Sequence, residues 1–271
     1  MKKLLFAALA LSIGSCNEAV KPEATVDKVA VGPIVIVHEE YAGVEPTTPE
    51  ETEFYEPEVP VVKPGVNGSA PSDAIVLFDG SSLEGWMQSQ DSTAAKWNLN
   101  TDGSMTVKDK TGNIETKQQF GDVQLHIEWS SPAAVQGASQ SRANSGVFLN
   151  GMYEVQVLDN NDNPTYVNGQ VGSIYKQHTP MAMASVPSGE WNTYDIIYRS
   201  PEFNAAGEKI KSGTMTVLQN GVLIQDHAEL KGNTPYIGWP KNPAHVKGPI
   251  MLQDHQDDSR VSFRNIWVRE L

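Results

Sequence analysis

Arg142-Ala143-Asn144-Ser145-Gly146-Val147-Phe148-Leu149-Asn150-Gly151-Met152-Tyr153-Glu154-Val155-Gln156-Val157-Leu158-Asp159 reads as two short strands joined at an Asn-Gly dipeptide. Asn and Gly tolerate positive φ, so Asn150-Gly151 closes a tight hairpin between apolar strands. Successive side chains of a strand point to opposite faces. Tyr153, Val155 and Val157 therefore share one face, and Glu154 and Gln156 share the other. A carboxylate and an amide side by side on a hydrophobic hairpin suggest a ligand surface. Asp159 falls out of parity with Glu154, and joins it only if a bulge or the strand end re-aims it.

The same pattern extends in both directions from Asp73 to the end of the chain. Strand signals run over 75–78, 96–99, 104–107, 123–129, 146–149, 153–158, 191–198, 214–219, 222–225, 250–255 and 261–268, separated by Gly, Asn, Asp and Pro. Val123, Leu125, Ile127 and Trp129 alternate with Gln124, His126 and Glu128, the pattern of a strand packed on one face and wet on the other. Asn220-Gly221 is a second hairpin signal. Many short strands without a long 3.6-residue period predict an all-β sandwich of about 200 residues. Three connections are long: 130–141, 160–187 and 228–248. Loops of that length in a compact domain are usually functional or disordered. The last carries Tyr236 and Trp239, suiting either an aromatic rim or a flap over the core.

The region before residue 73 is built differently. Lys2-Lys3, an apolar run from Leu4 to Ile13, and Gly14-Ser15-Cys16 have the layout of an export signal. Ile13-Gly14-Ser15-Cys16 resembles a bacterial lipobox, so 1–16 is expected to be a lipoprotein signal peptide with Cys16 lipidated. The expected location is outside the cytoplasm, anchored by lipid to a bacterial membrane, on the periplasmic or surface face of the outer membrane. As Cys16 is the single cysteine, no disulfide within the chain is available. Residues 17–72 hold eight of the 17 prolines and eleven acidic residues against three lysines. Such a segment buries too little apolar surface to offset ordering, so it is expected to be a disordered acidic tether, with Ile34–Val37 as an isolated strand signal. The 271 residues carry 33 acidic against 20 basic side chains, net charge -13, which excludes nucleic acid as a partner.

Leu77-Phe78-Asp79-Gly80 with Gly85-Trp86, Asn144-Ser145-Gly146-Val147, Tyr153 to Asp159, Gly189-Glu190-Trp191-Asn192, Leu252-Gln253-Asp254-His255 and Phe263-Arg264-Asn265-Ile266 together resemble one family. This is the 3-keto-disaccharide hydrolase, or 3-keto-glucoside 1,2-lyase and 3-keto-2-hydroxy-glucal hydratase, domain family, and the resemblance covers 74–271. It implies a concanavalin-like jelly roll of two antiparallel sheets whose concave face binds sugar, in a protein that is often secreted or lipid-anchored. It also implies chemistry on glycosides already oxidised at carbon 3. A 3-keto group acidifies the hydrogen on carbon 2, so a base can remove it and the enolate can expel the aglycone from carbon 1. Water then adds to the keto-glucal. Such a site needs a base, a donor or cation facing the enolate oxygen, and an acid at the leaving group.

Glu154, His255 and Asp159 are the expected catalytic residues. Gln156, Asn144, Arg142, Gln253 and Arg264 are expected to bind the carbohydrate substrate. His255 shares parity with Gln253 at the end of its strand, whereas Asp159 serves equally well as a cap for the turn at Asn160-Asn161. Glu154, Asp159 and His255 also form a candidate ligand set for a divalent metal ion, though no tight metal-binding spacing is present. Asp257 and Asp258 read as turn residues. No nucleotide cofactor is expected. Two other readings compete: a non-catalytic glycan-binding lipoprotein, and a conventional jelly-roll glycosidase. The latter places Glu-x-Asp-x-x-Glu on one strand, and here the middle Asp is Gln156 and the final Glu is Asp159.

Overall fold

The structure is a computed structural model in which residues 45–271 are described. Cys16, the expected signal over 1–16, the first part of the expected tether and Ile34–Val37 lie outside the described residues. The strands in chain order are β1 (Ile75–Phe78), β2 (Trp86–Gln88), β3 (Asn98–Leu99), β4 (Met105–Thr106), β5 (Ile114–Thr116), β6 (Val123–Ser130), β7 (Ser145–Leu149) and β8 (Tyr153–Val157). They continue with β9 (Asn192–Arg199), β10 (Glu202–Phe203), β11 (Lys209–Lys211), β12 (Thr214–Gln219), β13 (Val222–Glu229), β14 (Met251–Leu252) and β15 (Ser262–Glu270). The described helical residues are confined to three short 3-10 turns.

Two antiparallel sheets face each other, giving an all-β sandwich. The larger runs β13-β12-β9-β6-β15-β4-β3 with β1 also on β15, and the smaller runs β2-β5-β14-β7-β8. β10 and β11 form a separate ribbon. Alternation assigns the faces as expected. Val123, Leu125, Ile127 and Trp129 of β6 meet Tyr153, Val155 and Val157 of β8 in one buried cluster with Tyr194, Ile196, Phe263, Ile266 and Val268. Removing this much apolar area from water is the main stabilising contribution in a chain with no disulfide to help it.

Both Asn-Gly turns form. Asn220 and Gly221 have φ of 52° and 78° and join Gln219 directly to Val222. Asn150 and Gly151 have φ of 54° and 64°, but Leu149 pairs with Tyr153, so Met152 lengthens the turn to three residues. Three expected strands pair only in part: 96–99 over Asn98–Leu99, 104–107 over Met105–Thr106 and, falling furthest short, 250–255 over Met251–Leu252. Asp254 ends this last one, because its carboxylate accepts the main-chain N–H of Gly112 at 2.9 Å and of Gln256 at 2.9 Å. These local bonds replace the ladder and turn the following residues out of the sheet.

The outer edge of β8 is not left open. Gln156 N–H donates to the Ser173 carbonyl, Gly172 N–H to the Gln156 carbonyl and Tyr175 N–H to the Glu154 carbonyl. A segment of the long 160–187 connection thus acts as a strap along the edge, which protects it from pairing with other chains. On the far side of the molecule, residues at the end of the expected tether are held down. The Gly68 carbonyl accepts from Trp267 Nε1 and Asn265 Nδ2, both at 2.9 Å.

Candidate active site

The outer face of the smaller sheet is hollowed into a cleft of about 480 Å³ lined by Glu154 and Gln156 from β8, Phe148 from β7, Asn144 just before it, and Gln253 and His255 just after β14. The long connections supply the walls: Gln140 from the first, Tyr175 from the second, Thr234 and Tyr236 from the third. Gln253 N–H donates to the Gly146 carbonyl at 3.1 Å, and Gly146 pairs with Gln156. Gly146 therefore sits between two amide-bearing positions and carries no side chain. A Cβ there would stand 2.5 Å from Glu154 Oε1, so the glycine makes the space that the carboxyl occupies.

Glu154 is 4% exposed. Burial pushes its carboxyl up to about 8, because desolvation disfavours the charged form and, among the described residues, no lysine or arginine lines the cleft. Its main-chain N–H is fixed by Thr234 Oγ1 at 3.1 Å. His255 is oriented by Asp257, whose Oδ2 lies 2.8 Å from Nδ1. With the carboxylate accepting from Nδ1–H, Nε2 is the nitrogen that would exchange a proton with a ligand. Gln253 Oε1 is buried without a hydrogen-bond partner among the described residues, an acceptor suited to a ligand hydroxyl. Tyr236 and Trp239 are 72% and 88% exposed, so this loop is a rim and not a flap over the core. Lys176 Nζ stands 4.5 Å over the Tyr236 ring and 5.3 Å over that of Tyr175, bracing the wall.

Five of the expected site residues, Glu154, Gln156, Asn144, Gln253 and His255, come together here. Asp159 and Arg142 do not line the cleft. Asp159 is 2% exposed and pins loops together: Oδ2 accepts from Ser131 and Ser188, each at 2.6 Å, and Oδ1 from Arg142 Nε and the Asn161 N–H, each at 3.2 Å. Burial alone would raise this carboxyl, but the donations from Ser131, Ser188, Arg142 and the Asn161 N–H outweigh it and hold it below the usual carboxylate range. Asp159 is thus no ligand for a substrate or metal, and the expected three-residue metal set does not form. Among the described residues no cluster of three or more His, Cys, Asp or Glu is placed to hold a metal ion. Arg264 is also displaced from its expected role. Its neighbour Phe263 packs in the core, so Arg264 points to the outer face of the larger sheet, where Nε meets Glu128 Oε2 at 2.6 Å and the guanidinium lies 4.1 Å over Trp191.

The sequence reading missed Asp257, Gln140, Tyr175 and Thr234. The His255-x-Asp257 spacing was visible, but a turn explained it equally well. Gln140, Tyr175 and Thr234 sit in loops with no periodic signal.

The family described as the 3-keto-alpha-glucoside-1,2-lyase-like domain matches residues 73–269. The chain belongs to this family. A candidate glycosyl hydrolase from Parabacteroides distasonis ATCC 8503 is 55% identical, aligned over 84% of this chain and 99% of that one, with a TM-score of 0.80. A second candidate glycosyl hydrolase from that organism, 18% identical over 73% of this chain and 94% of that chain, shares the fold with a TM-score of 0.54. No curated protein matches the chain. Within the 3-keto-alpha-glucoside-1,2-lyase-like family match fall all ten residues lining the cleft.

Proposed function

We propose that this protein cleaves 3-keto-glycosides by elimination across carbons 1 and 2, then hydrates the keto-glucal. Membership of the 3-keto-alpha-glucoside-1,2-lyase-like family and the 55% identity to a candidate glycosyl hydrolase support a glycoside-hydrolase type of activity. The observation that carries the finer reading is the pairing, in one cleft, of a carboxyl that burial pushes towards its protonated form with an imidazole held at Nδ1 by Asp257. Elimination needs one group of each kind.

In this reading His255 Nε2 takes the proton from carbon 2, and Asp257 steadies the imidazolium that forms. The electron pair of the broken C2–H bond becomes the C1–C2 double bond as the C1–O bond breaks. The Glu154 proton passes to the departing oxygen. Hydration reverses the roles: Glu154, now ionised, takes a proton from water as its oxygen adds to carbon 1, and His255 returns its proton to carbon 2. Gln253, whose Oε1 has no partner among the described residues, holds a sugar hydroxyl, and Tyr236 walls the aglycone side. Among the described residues Glu154 is the one carboxylate lining the cleft, whereas a conventional retaining glycosidase needs two about 5 Å apart.

The purified protein is expected to release aglycone from a 3-keto-glucoside and to leave the unoxidised glucoside intact, read by chromatography of both products. Cleavage of the unoxidised glucoside would establish an ordinary glycosidase instead. Glycan binding without turnover of any keto-glycoside would establish a binding protein. Running the panel with a chelator tests for a divalent-ion requirement.

A further inference from the structure

A chain of side-chain amides runs through the wall of the cleft and ends on Glu154. Its fixed end is the Gly169 carbonyl, which can only accept. Gln140 Nε2 donates to it at 2.9 Å and to Thr165 Oγ1 at 2.9 Å. Gln140 Oε1 therefore faces the other way and receives Gln156 Nε2 at 3.0 Å. Asn144 is fixed likewise: its Nδ2 donates to the Gln140 carbonyl at 2.7 Å, which leaves Oδ1 at 3.5 Å from Gln156 Nε2. Two anchored acceptors hold the nitrogen of Gln156, so its oxygen points the opposite way, 2.9 Å from Glu154 Oε1.

Two oxygens at that distance repel unless a proton lies between them. Turning the Gln156 amide over would give Glu154 and the Ser145 carbonyl a donor at 2.9 and 3.2 Å, but would press its oxygen against Gln140 Oε1 at 3.0 Å. Neither Gln140 nor Asn144 can turn to relieve that contact without breaking its bond to a main-chain carbonyl. In the first arrangement the short contact is relieved by a proton on Glu154, and the longer one to Ser145 is the remaining cost. Nothing relieves the short contact in the second.

We propose that Gln140 is a positioning residue: anchored on the Gly169 carbonyl, it turns the Gln156 amide oxygen onto Glu154 and so keeps a proton on that carboxyl. The inference deepens the assignment of Glu154 as proton donor and rests on it for its catalytic meaning. The other titratable groups lining the cleft are His255, Tyr175 and Tyr236. Burial raises the Tyr175 hydroxyl, which stays neutral. Lys176, behind these tyrosines, is engaged by the Tyr236 carbonyl and the surrounding rings.

The test is a carbon-13 NMR titration of glutamate side-chain carboxyls in the full chain, with Glu154→Gln assigning the signal. In the wild type the Glu154 carboxyl should titrate well above the ordinary glutamate range. In Gln140→Met, which keeps bulk but frees Gln156 to turn its nitrogen onto Glu154, the midpoint should fall by about one unit or more. Asn144→Ala should move it the same way by less, and carries the test if Gln140→Met does not fold. The alkaline limb of kcat should shift by the same amount. An ordinary glutamate midpoint in the wild type, or an unmoved midpoint in the folded variants, overturns the proposal. The titration needs no substrate, so a shifted midpoint in a protein inert towards keto-glycosides would break the functional reading alone.

Discussion

Glu154, near the start of β8, and Asp159, just past its end, are 4% and 2% exposed, and their carboxyls are pushed in opposite directions. Asp159 is surrounded by donors: two hydroxyls, a guanidinium and a main-chain N–H. Glu154 faces the Gln156 amide, whose oxygen the Gln140 anchor is inferred to turn towards it, and a cleft. The difference separates a carboxylate whose partners are all protein donors from a carboxyl that borders an open cleft. A saturated carboxylate has nothing left to offer a ligand; an unsaturated one raises the energy of the empty protein and is retained where a ligand uses it.

The sharpest way to break this comparison is by substitution. Glu154→Ala and His255→Ala should each lower turnover of a 3-keto-glucoside by about a hundredfold or more, the usual cost of losing a positioned acid or base. Asp159→Ala should act on stability instead, by about 2–3 kcal/mol, since it strands two hydroxyls and a half-buried guanidinium. Thermal melts read the second effect and steady-state kinetics the first. An Asp159 variant that stays as stable as the wild type but loses turnover would place Asp159 in the chemistry.

The two carboxyls also predict opposite pH dependences. Between about 4.5 and about 8 the unfolded chain loses the Glu154 proton while the folded chain keeps it, so stability falls as pH rises, at up to about 1.4 kcal/mol per pH unit. For Asp159, whose folded value is depressed, the contribution is complete above the ordinary carboxylate range and is lost as pH falls through the folded value. Glu154→Gln should therefore flatten the decline in Tm between pH 5 and pH 8, where each 1 kcal/mol corresponds to about 2–4 °C. An undiminished decline in that variant would show that Glu154 ionises freely in the folded protein.

How much of this was legible follows from the range over which each signal acts. The parity of Tyr153, Val155 and Val157 against Glu154 and Gln156 is a property of adjacent residues, and the sandwich places them as that parity requires. Asp159 was ambiguous because its parity left open whether the strand end would turn it, and what turned it is distant in sequence: Ser131 and Ser188. His255 was expected at a strand end and lies on a loop, because Asp254 draws the main chain out of the ladder through Gly112, far earlier in the chain. Gln140 was invisible for the same reason, since its role depends on a carbonyl in another loop.

Arg264 gives the finest version of the comparison, since it tests whether the outer faces of the two sheets work independently. On the larger sheet Glu128 resembles Asp159 in being served by donors: Arg264 at 2.6 Å and Asn265 Nδ2 at 2.8 Å. Arg264→Ala removes one of these and leaves the other, and the guanidinium is partly open to solvent, so salt screens the pair. Adding the contact with Trp191, the loss should be about 1 kcal/mol, shrinking at high ionic strength, with keto-glycoside turnover unchanged within about twofold. Across the core the Tyr194 hydroxyl of the larger sheet donates to the Gln156 carbonyl at 2.8 Å, whereas Arg264 and Asn265 bond Glu128 on the outer face. A tenfold fall in turnover without loss of stability would mean that the larger sheet's outer face reaches the chemistry, and that saturation by partners is no guide to which carboxylate acts.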